Sequence, residues 1–496
     1  MLFSSLSYLL FFPAVLLAFW LLPHRFRNVL LLVSSYYFYM SWIPVYGILL
    51  FVLTLLNYAL GAVIDRQRQH ARAWLITGIV LNLSTLAYFK YTDFAIASFN
   101  KAVASVSPIL KISEATLSLP LQHVLLPLGI SFFVFEFIHY IVDVYKGSKP
   151  ITNYVNFSLF AAFFPSQIAG PIKRYQDFVK QMQEPRRFLS ANFERGLLLL
   201  LQGLFKKIAL ADNLSPVVNQ GFAHAATLGG ADAWVAALAF AAQIYCDFSG
   251  YTDMGRGSAL MLGFDLPDNF NLPYIARSLT DFWKRWHISL SSWLRDYLYI
   301  PLGGSKCSLV RRHANLLITM VLGGLWHGAS WHFVVWGAFH GTGLILCHSY
   351  DHWLKNSSSA VTGFLRQLHS TATGGVLSML LTFVFVLVGW VFFRAETMAE
   401  ALSVLHGMFA PQMVTSGVLA EVLAQHPIVP ALLAYLLYRL VCDYGAAVIK
   451  GSACCGCSNL HPKSASQGGG LSGIFCYDNG PSTVFGFPIY LFCVLI

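Results

Sequence analysis

Gly323-Gly-Leu-Trp-His327-Gly-Ala-Ser-Trp-His332-Phe-Val-Val-Trp-Gly-Ala-Phe-His340-Gly341 sits inside an apolar run from Leu316 to Leu346 that contains no Lys, Arg, Asp or Glu. A charge-free run of this length reads as bilayer-embedded helix. Within it, His327 is the residue that needs explaining. A titratable ring at membrane depth costs free energy unless it has partners or a task, and an imidazole can take and give protons near neutral pH. Gly323, Gly324, Gly328 and Ala329 leave room beside it for backbone or substrate. His332 and His340 are eight residues apart on one helical face, with Trp336 between them, and off the face of His327. For those two, a buried histidine bonded to a nearby carbonyl is the better reading.

The rest of the chain agrees with a membrane protein. Of 496 residues, 56% are hydrophobic and only 11% charged, with a mean hydropathy of +0.61; soluble domains carry about 25% charged residues. Apolar stretches recur along almost the whole length, which predicts an all-α polytopic bundle. No ten-residue alternation recurs to support a membrane barrel. The formal net charge of +10 reads as Lys and Arg gathered in cytoplasmic loops, and nucleic acid is not expected as a partner. The run 6–22 lacks a basic region before it and a small-residue cleavage site after it, so it is read as a retained first span. Cys454-Cys-Gly-Cys457 has no matching second pair and does not make a zinc site.

Spans are expected at 6–22, 29–41, 44–63, 73–89, 121–143, 154–170, 196–211, 233–246, 251–264, 315–329, 331–349, 373–393 and 428–448, with 482–496 a further apolar stretch. Basic loops set the sidedness. Loops 23–28 and 64–72 hold His24, Arg25, Arg27 and Arg66, Arg68, Arg72, and 171–195 holds six Lys or Arg against three acids. All should face the cytoplasm, with the N-terminus outside. The segment 154–170 then enters and leaves on one side, and such a re-entrant piece is tolerated only where it lines a cavity or is buried in protein. No internal repeat is visible, which counts against a secondary transporter.

Three further constellations carry polar chemistry. Asp281-Phe-Trp-Lys284-Arg285-Trp-His287, continuing to Arg295-Asp296, reads as an interfacial segment with Trp anchors. Lys284 and Arg285 would face headgroups or an anionic ligand, and His287 is a second functional candidate. Asp247-Phe-Ser249-Gly-Tyr251-Thr-Asp253, with Asn269-Phe-Asn271 after it, places carboxylates at membrane depth. Arg256, three residues beyond Asp253, is the expected partner there. Phe164-Pro-Ser-Gln167-Ile-Ala-Gly170-Pro-Ile-Lys173-Arg174 breaks a helix and ends in two cations, suiting either a phosphate-bearing cytosolic ligand or a positive-inside anchor.

Taken in order, Leu126-Pro-Leu-Gly-Ile-Ser-Phe-Phe133, Val142-Asp-Val-Tyr-Lys-Gly147, Ile168-Ala-Gly-Pro-Ile172, Asp247 to Met254, Phe282-Trp-Lys-Arg-Trp-His-Ile-Ser-Leu-Ser291, Gly323 to Ala329 and Gly389-Trp-Val-Phe-Phe-Arg-Ala395 resemble the membrane-bound O-acyltransferase superfamily, in its bacterial alginate O-acetylation branch. The resemblance runs from about residue 6 to about 400. It implies about eleven transmembrane helices plus re-entrant and interfacial helices around a central tunnel, with 1–450 as the acyltransferase domain and its core motifs at 121–400. It also implies that His327 is the catalytic histidine and His287 the second, more variable position. Trp326, Lys284, Arg285, Asp247, Ser249, Tyr251, Asp253 and Asn271 are the candidate contacts for substrate or acyl donor. The Gly-, Ser- and Cys-rich tail 451–496 departs from the pattern.

The expected function is transfer of acetyl groups from cytosolic acetyl-CoA, as co-substrate, to hydroxyls of an exported polysaccharide at the bacterial inner membrane. No bound cofactor or metal is expected, and an extracytoplasmic acetyltransferase is the expected partner protein. The alternative is a polysaccharide or lipid transporter without chemistry. A haem or metal centre would need convergent ligands that the spacing of the histidines does not supply.

Overall fold

The computed structural model describes residues 1–438, apart from 111–116, 169, 410–416, 427 and 437. The expected segment 428–448 is therefore described only in part, and the tail 451–496 lies outside the described residues. The helices are α1 (Leu6–Leu21), α2 (His24–Met40), α3 (Val45–Arg66), α4 (Ala71–Leu110), α5 (Ile130–Tyr145), α6 (Tyr154–Ala162), α7 (Tyr175–Gln183), α8 (Ser190–Leu204), α9 (Asp212–Ala223), α10 (Gly230–Met261), α11 (Leu279–Arg285), α12 (Ile288–Leu294), α13 (Leu309–His327), α14 (Trp331–Asn356), α15 (Ala360–Ser370), α16 (Ala372–Arg394), α17 (Met398–Phe409) and α18 (Val418–Gln425). The fold is all-helical: among the described residues, β pairing is limited to one isolated bridge, Phe270 to Trp286.

On length and composition, α3, α4 with the turn before it, and α16 are apolar enough to cross a membrane. The others are shorter or carry polar residues turned into the bundle. Residues 233–246 and 251–264, expected as two spans, form the single 32-residue helix α10. The sequence between them, Cys246-Asp-Phe-Ser-Gly250, reads as a break because it is polar. It stays helical because Asp247, and Asp253 just beyond it, find Lys207 and Lys206 on a facing segment of the chain. The segment 154–170 behaves as a re-entrant piece should. Its helix α6 has nine residues, about 14 Å at 1.5 Å per residue and too short to span. Everything from Phe157 to Gln167 is buried.

The basic loops meet at one end of the bundle. Arg27 donates to the Arg186 carbonyl at 2.8 Å and Arg186 to that of Gly263 at 2.8 Å. Arg68 reaches the carbonyls of Val144 and Tyr145 at 3.1 and 3.3 Å. The amphipathic helix α7 joins these groups: Gln176 donates to Asp143, and Gln181 to the Asp265 carbonyl.

Two hydrophobic cores fill the bundle. One gathers the aromatics of α1, α2, α5 and α6 with Trp293 and Trp326. The other gathers parts of α9, α10, α11 and α16 with Trp286, Trp336 and Trp390. The seam between them is held by α13 and α14, whose backbones approach through glycines. A β-carbon on Gly337 would overlap the Met320 carbonyl oxygen and lie 2.8 Å from Val321 Cα, and one on Gly324 would overlap the Phe333 carbonyl oxygen.

This contact has a measurable cost of disruption. Gly337→Val should lower stability by about 1–3 kcal/mol or more, the range for overpacking a filled site, read as thermal unfolding of the detergent-solubilised chain. Gly363 in α15 has open space around it, and Gly363→Ala should raise stability by about 0.5–1 kcal/mol through helix propensity.

Candidate active site

His327 is the last residue of α13. The ladder ends there because Gly328 follows in extended backbone, so the imidazole stands at a helix end, on the seam between the two cores. Its ring is packed at steep angles by three aromatics. Trp326, Trp336 and Phe393 lie with centroids at 4.9, 5.2 and 5.1 Å and planes turned 78°, 84° and 76°. Trp326 belongs to one core and Trp336 to the other.

Two cavities end at this ring. The first, about 320 Å³, is lined by Lys90, Ser131, Phe248, His287, Trp326 and His327 among others. The second, about 360 Å³, runs past Trp283, Lys284, Arg295, Thr319, His327 and Trp336. His327 is the residue their walls share. The second cavity reaches Arg295 and Lys284, on the side from which α13 starts with Arg311 and Arg312. The first lies toward Lys90, 19 residues along α4 from its basic start, or about 29 Å, and thus toward the opposite end. Both reach His327, one from the side of Lys90 and His287 and the other from the side of Lys284 and Arg295.

His287 is buried, at 1% exposure. It sits in left-handed backbone at φ 44° between α11 and α12. A non-glycine residue is held there only when its surroundings over-determine it. Asn269 does this. Its Oδ1 lies 3.2 Å from His287 Nδ1 and accepts from the Ser289 amide and hydroxyl at 3.2 and 2.9 Å. The Asn269 carbonyl also accepts from the Ile288 amide at 3.0 Å. His287 Nε2 is buried and has no hydrogen-bond partner among the described residues. The ring stands edge-on to Phe248 at 4.7 Å and to Trp326 at 5.9 Å. Asn269 was within a motif noted in the sequence, but nothing in its spacing said that it would grip a histidine 18 residues on.

The remaining candidates divide. Trp326 lines the first cavity and Lys284 the second. Arg285 lines neither described cavity; it pairs with Asp281 at 2.8 Å and donates to the Asn271 carbonyl. Asp247 pairs with Lys207 at 2.6 Å, and Asp253 with Lys206 at 2.6 Å. The expected Asp253–Arg256 pair is absent, because Asp253 faces the neighbouring π-helical segment Phe205–Ala211 while Arg256 turns to Asp268. Ser249 is buried with its hydroxyl unpartnered, Tyr251 packs on Phe3 at 5.6 Å, and Asn271 is exposed, its amide donating to the Arg285 carbonyl. None of Asp247, Ser249, Tyr251, Asp253 and Asn271 lines either cavity, although Ile244 and Phe248 of the same helix α10 do. His340 is buried among Phe282, Trp283 and Phe385, and His332 meets Ser330 Oγ at 2.9 Å. Lys173 and Arg174 are already engaged by Glu136 and Asp296 at 2.7 and 2.8 Å.

Comparison with known proteins bears on this arrangement. The model of the membrane-bound O-acyltransferase family matches residues 48–368. A probable alginate O-acetylase of Azotobacter vinelandii is 44% identical over 417 residues, covering 83% of this chain and 78% of the relative. One from Pseudomonas aeruginosa is 43% identical over 83% of this chain and 75% of the relative. A peptidoglycan O-acetyltransferase of Helicobacter pylori is 36% identical over 80% and 77%.

The Glu136–Lys173 pair, with side chains 5% and 2% exposed, is the most deeply buried ion pair among the described residues. Glu136→Ala should destabilise the chain by about 3–5 kcal/mol, because it strands the ammonium. The double replacement Glu136→Leu, Lys173→Met should recover most of that loss. Thermal unfolding of the three proteins in detergent checks both.

Proposed function

The chain belongs to the membrane-bound O-acyltransferase family, and we propose that it carries acetyl groups from cytosolic acetyl-CoA to hydroxyls of an exported glycan, with His327 as the catalytic residue. Family membership makes it an O-acyltransferase and sets aside the transporter without chemistry. One observation supports the residue assignment: His327 is in the wall of both cavities, which we read as the two halves of a tunnel. A thioester entering from the basic end and a hydroxyl entering from the opposite end meet at one imidazole. Such alignment can supply several kcal/mol of the barrier before any proton moves.

The donor half is mostly apolar, with Lys284 and Arg295 in its wall. That suits a thioester chain whose phosphates stay at the basic mouth. His327 takes the proton of the acceptor hydroxyl as that oxygen attacks the thioester carbonyl, a role commonly worth 10²–10⁴-fold. A covalent acyl-histidine is the variant of the same scheme. His287 lines the acceptor half and orients the incoming hydroxyl through its unpartnered Nε2. The basic end is the cytoplasmic face of the bacterial inner membrane, which sets the N-terminus outside. The relatives named for alginate and peptidoglycan acetylation support a cell-envelope glycan as final acceptor, reached through an extracytoplasmic acetyltransferase partner.

His327→Ala should leave the protein in the membrane at normal levels and abolish transfer of labelled acetyl from acetyl-CoA to macromolecular ester. Wild-type transfer by a well-expressed variant would remove His327 from the mechanism. His287→Ala should reduce turnover about 10–100-fold, a smaller loss than a missing base gives, with acetyl-CoA KM little changed; unaltered turnover would leave His287 a structural role only.

A further inference from the structure

The acceptor half of the tunnel contains a cation that the sequence does not announce. Lys90 lies in α4, a helix whose neighbouring positions are Tyr88, Phe89 and Tyr91. A lysine in such a span is expensive and normally turns its head toward water or a carboxylate. Lys90 does neither. Its ammonium donates to the Trp326 carbonyl, lies 5.7 Å from the Trp326 ring centroid, and lines the cavity that holds His287 and His327. No Asp or Glu is among the described residues of that wall. Next to it, the Tyr91 hydroxyl donates to the Leu325 carbonyl at 2.7 Å. Helix α4 thus satisfies two last-turn carbonyls of α13, groups that a helix end leaves open, one residue before the proposed catalytic histidine.

An ammonium has three donors, and the Trp326 carbonyl takes one. We propose that Lys90 is the oxyanion-stabilising residue of the transfer; this rests on the reading of His327 given above. The acceptor oxygen bonds to the thioester carbonyl carbon and its proton passes to His327. The carbonyl oxygen becomes an anion, which Lys90 meets with a free N–H and a full charge. As the carbonyl re-forms, the carbon–sulfur bond breaks and the thiolate takes the proton from His327, leaving ester and thiol. The charge is in place before the anion exists, so no reorganisation is needed when the anion forms. The backbone contact and the indole face hold the ammonium in place.

The test separates the charge from the prop. Lys90→Gln keeps an N–H able to reach the Trp326 carbonyl but has no charge. Its kcat for acetyl transfer from acetyl-CoA in membranes holding the full chain should fall 10²–10³-fold, the loss seen when an oxyanion donor is removed. KM for acetyl-CoA should stay within about threefold, since stabilisation confined to the transition state leaves ground-state binding alone. Lys90→Arg should recover at least about tenfold of the loss, because it restores the cation. Tyr91→Phe cuts the neighbouring tie and keeps the charge, so it should stay within about threefold of wild type. A Lys90→Gln enzyme as fast as wild type, or Arg and Gln variants equally impaired while normally folded, would overturn the assignment. If His327→Ala remained active, the reading of the histidine itself would fail, whatever Lys90 does.

Discussion

The close approach of α13 and α14 is the constraint on which the site depends. It works only because Gly324 and Gly337 carry no side chain, so that the carbonyls of Phe333 and Met320 can occupy the space a β-carbon would take. Backbone contact of this kind replaces the hydrophobic drive that lipid cannot supply between helices. It fixes where α13 ends, and His327 is its last residue. The two aromatic cores then close on either side of that end, which is why one ring touches tryptophans of both.

Charge inside the bundle follows the same economy. Lys173 is held by Glu136, Lys206 by Asp253 and Lys207 by Asp247 and Asp212. Apart from Lys207–Asp212, these pairs join segments distant in sequence and turn residues that look like ligands into parts of the frame. A buried pair is weak evidence of stability but strong evidence of register, because breaking it strands a charge. Lys90 stands apart from this pattern, since its recorded partners are a carbonyl and an indole face.

Much of this was legible in the sequence. The charge-free run around His327, the clustering of basic loops and the awkward length of 154–170 each follow from the price of polar groups in lipid, and each is local. What failed to show was the pairing of distant segments. Asp253 and Arg256 sit three residues apart and invite a helical pair, yet a cation from residue 206 wins because it lies on the facing helix. The same competition keeps α10 continuous through a polar stretch that local pattern reads as a break. Asn269 and Lys90 were invisible as site residues for the same reason. One acts through a loop folded back across 18 positions, and the other across 236. Sequence shows which residues are costly; only the packing shows which of them have been compensated.

That distinction matters most at His327. Histidines that act as bases are commonly oriented by a carboxylate or carbonyl on the far nitrogen. Here the described neighbours of the ring are Trp326, Trp336 and Phe393, all packed at steep angles to it. Such packing fixes the plane of the imidazole, and among the described residues no hydrogen bond is made to either of its nitrogens. An imidazole bonded on one side has a single nitrogen left for chemistry, whereas this one keeps two. In the transfer proposed above that is the useful arrangement, because His327 is in the wall of both cavities: one ring could face a hydroxyl from one side and a thiolate from the other without turning over between the two proton transfers.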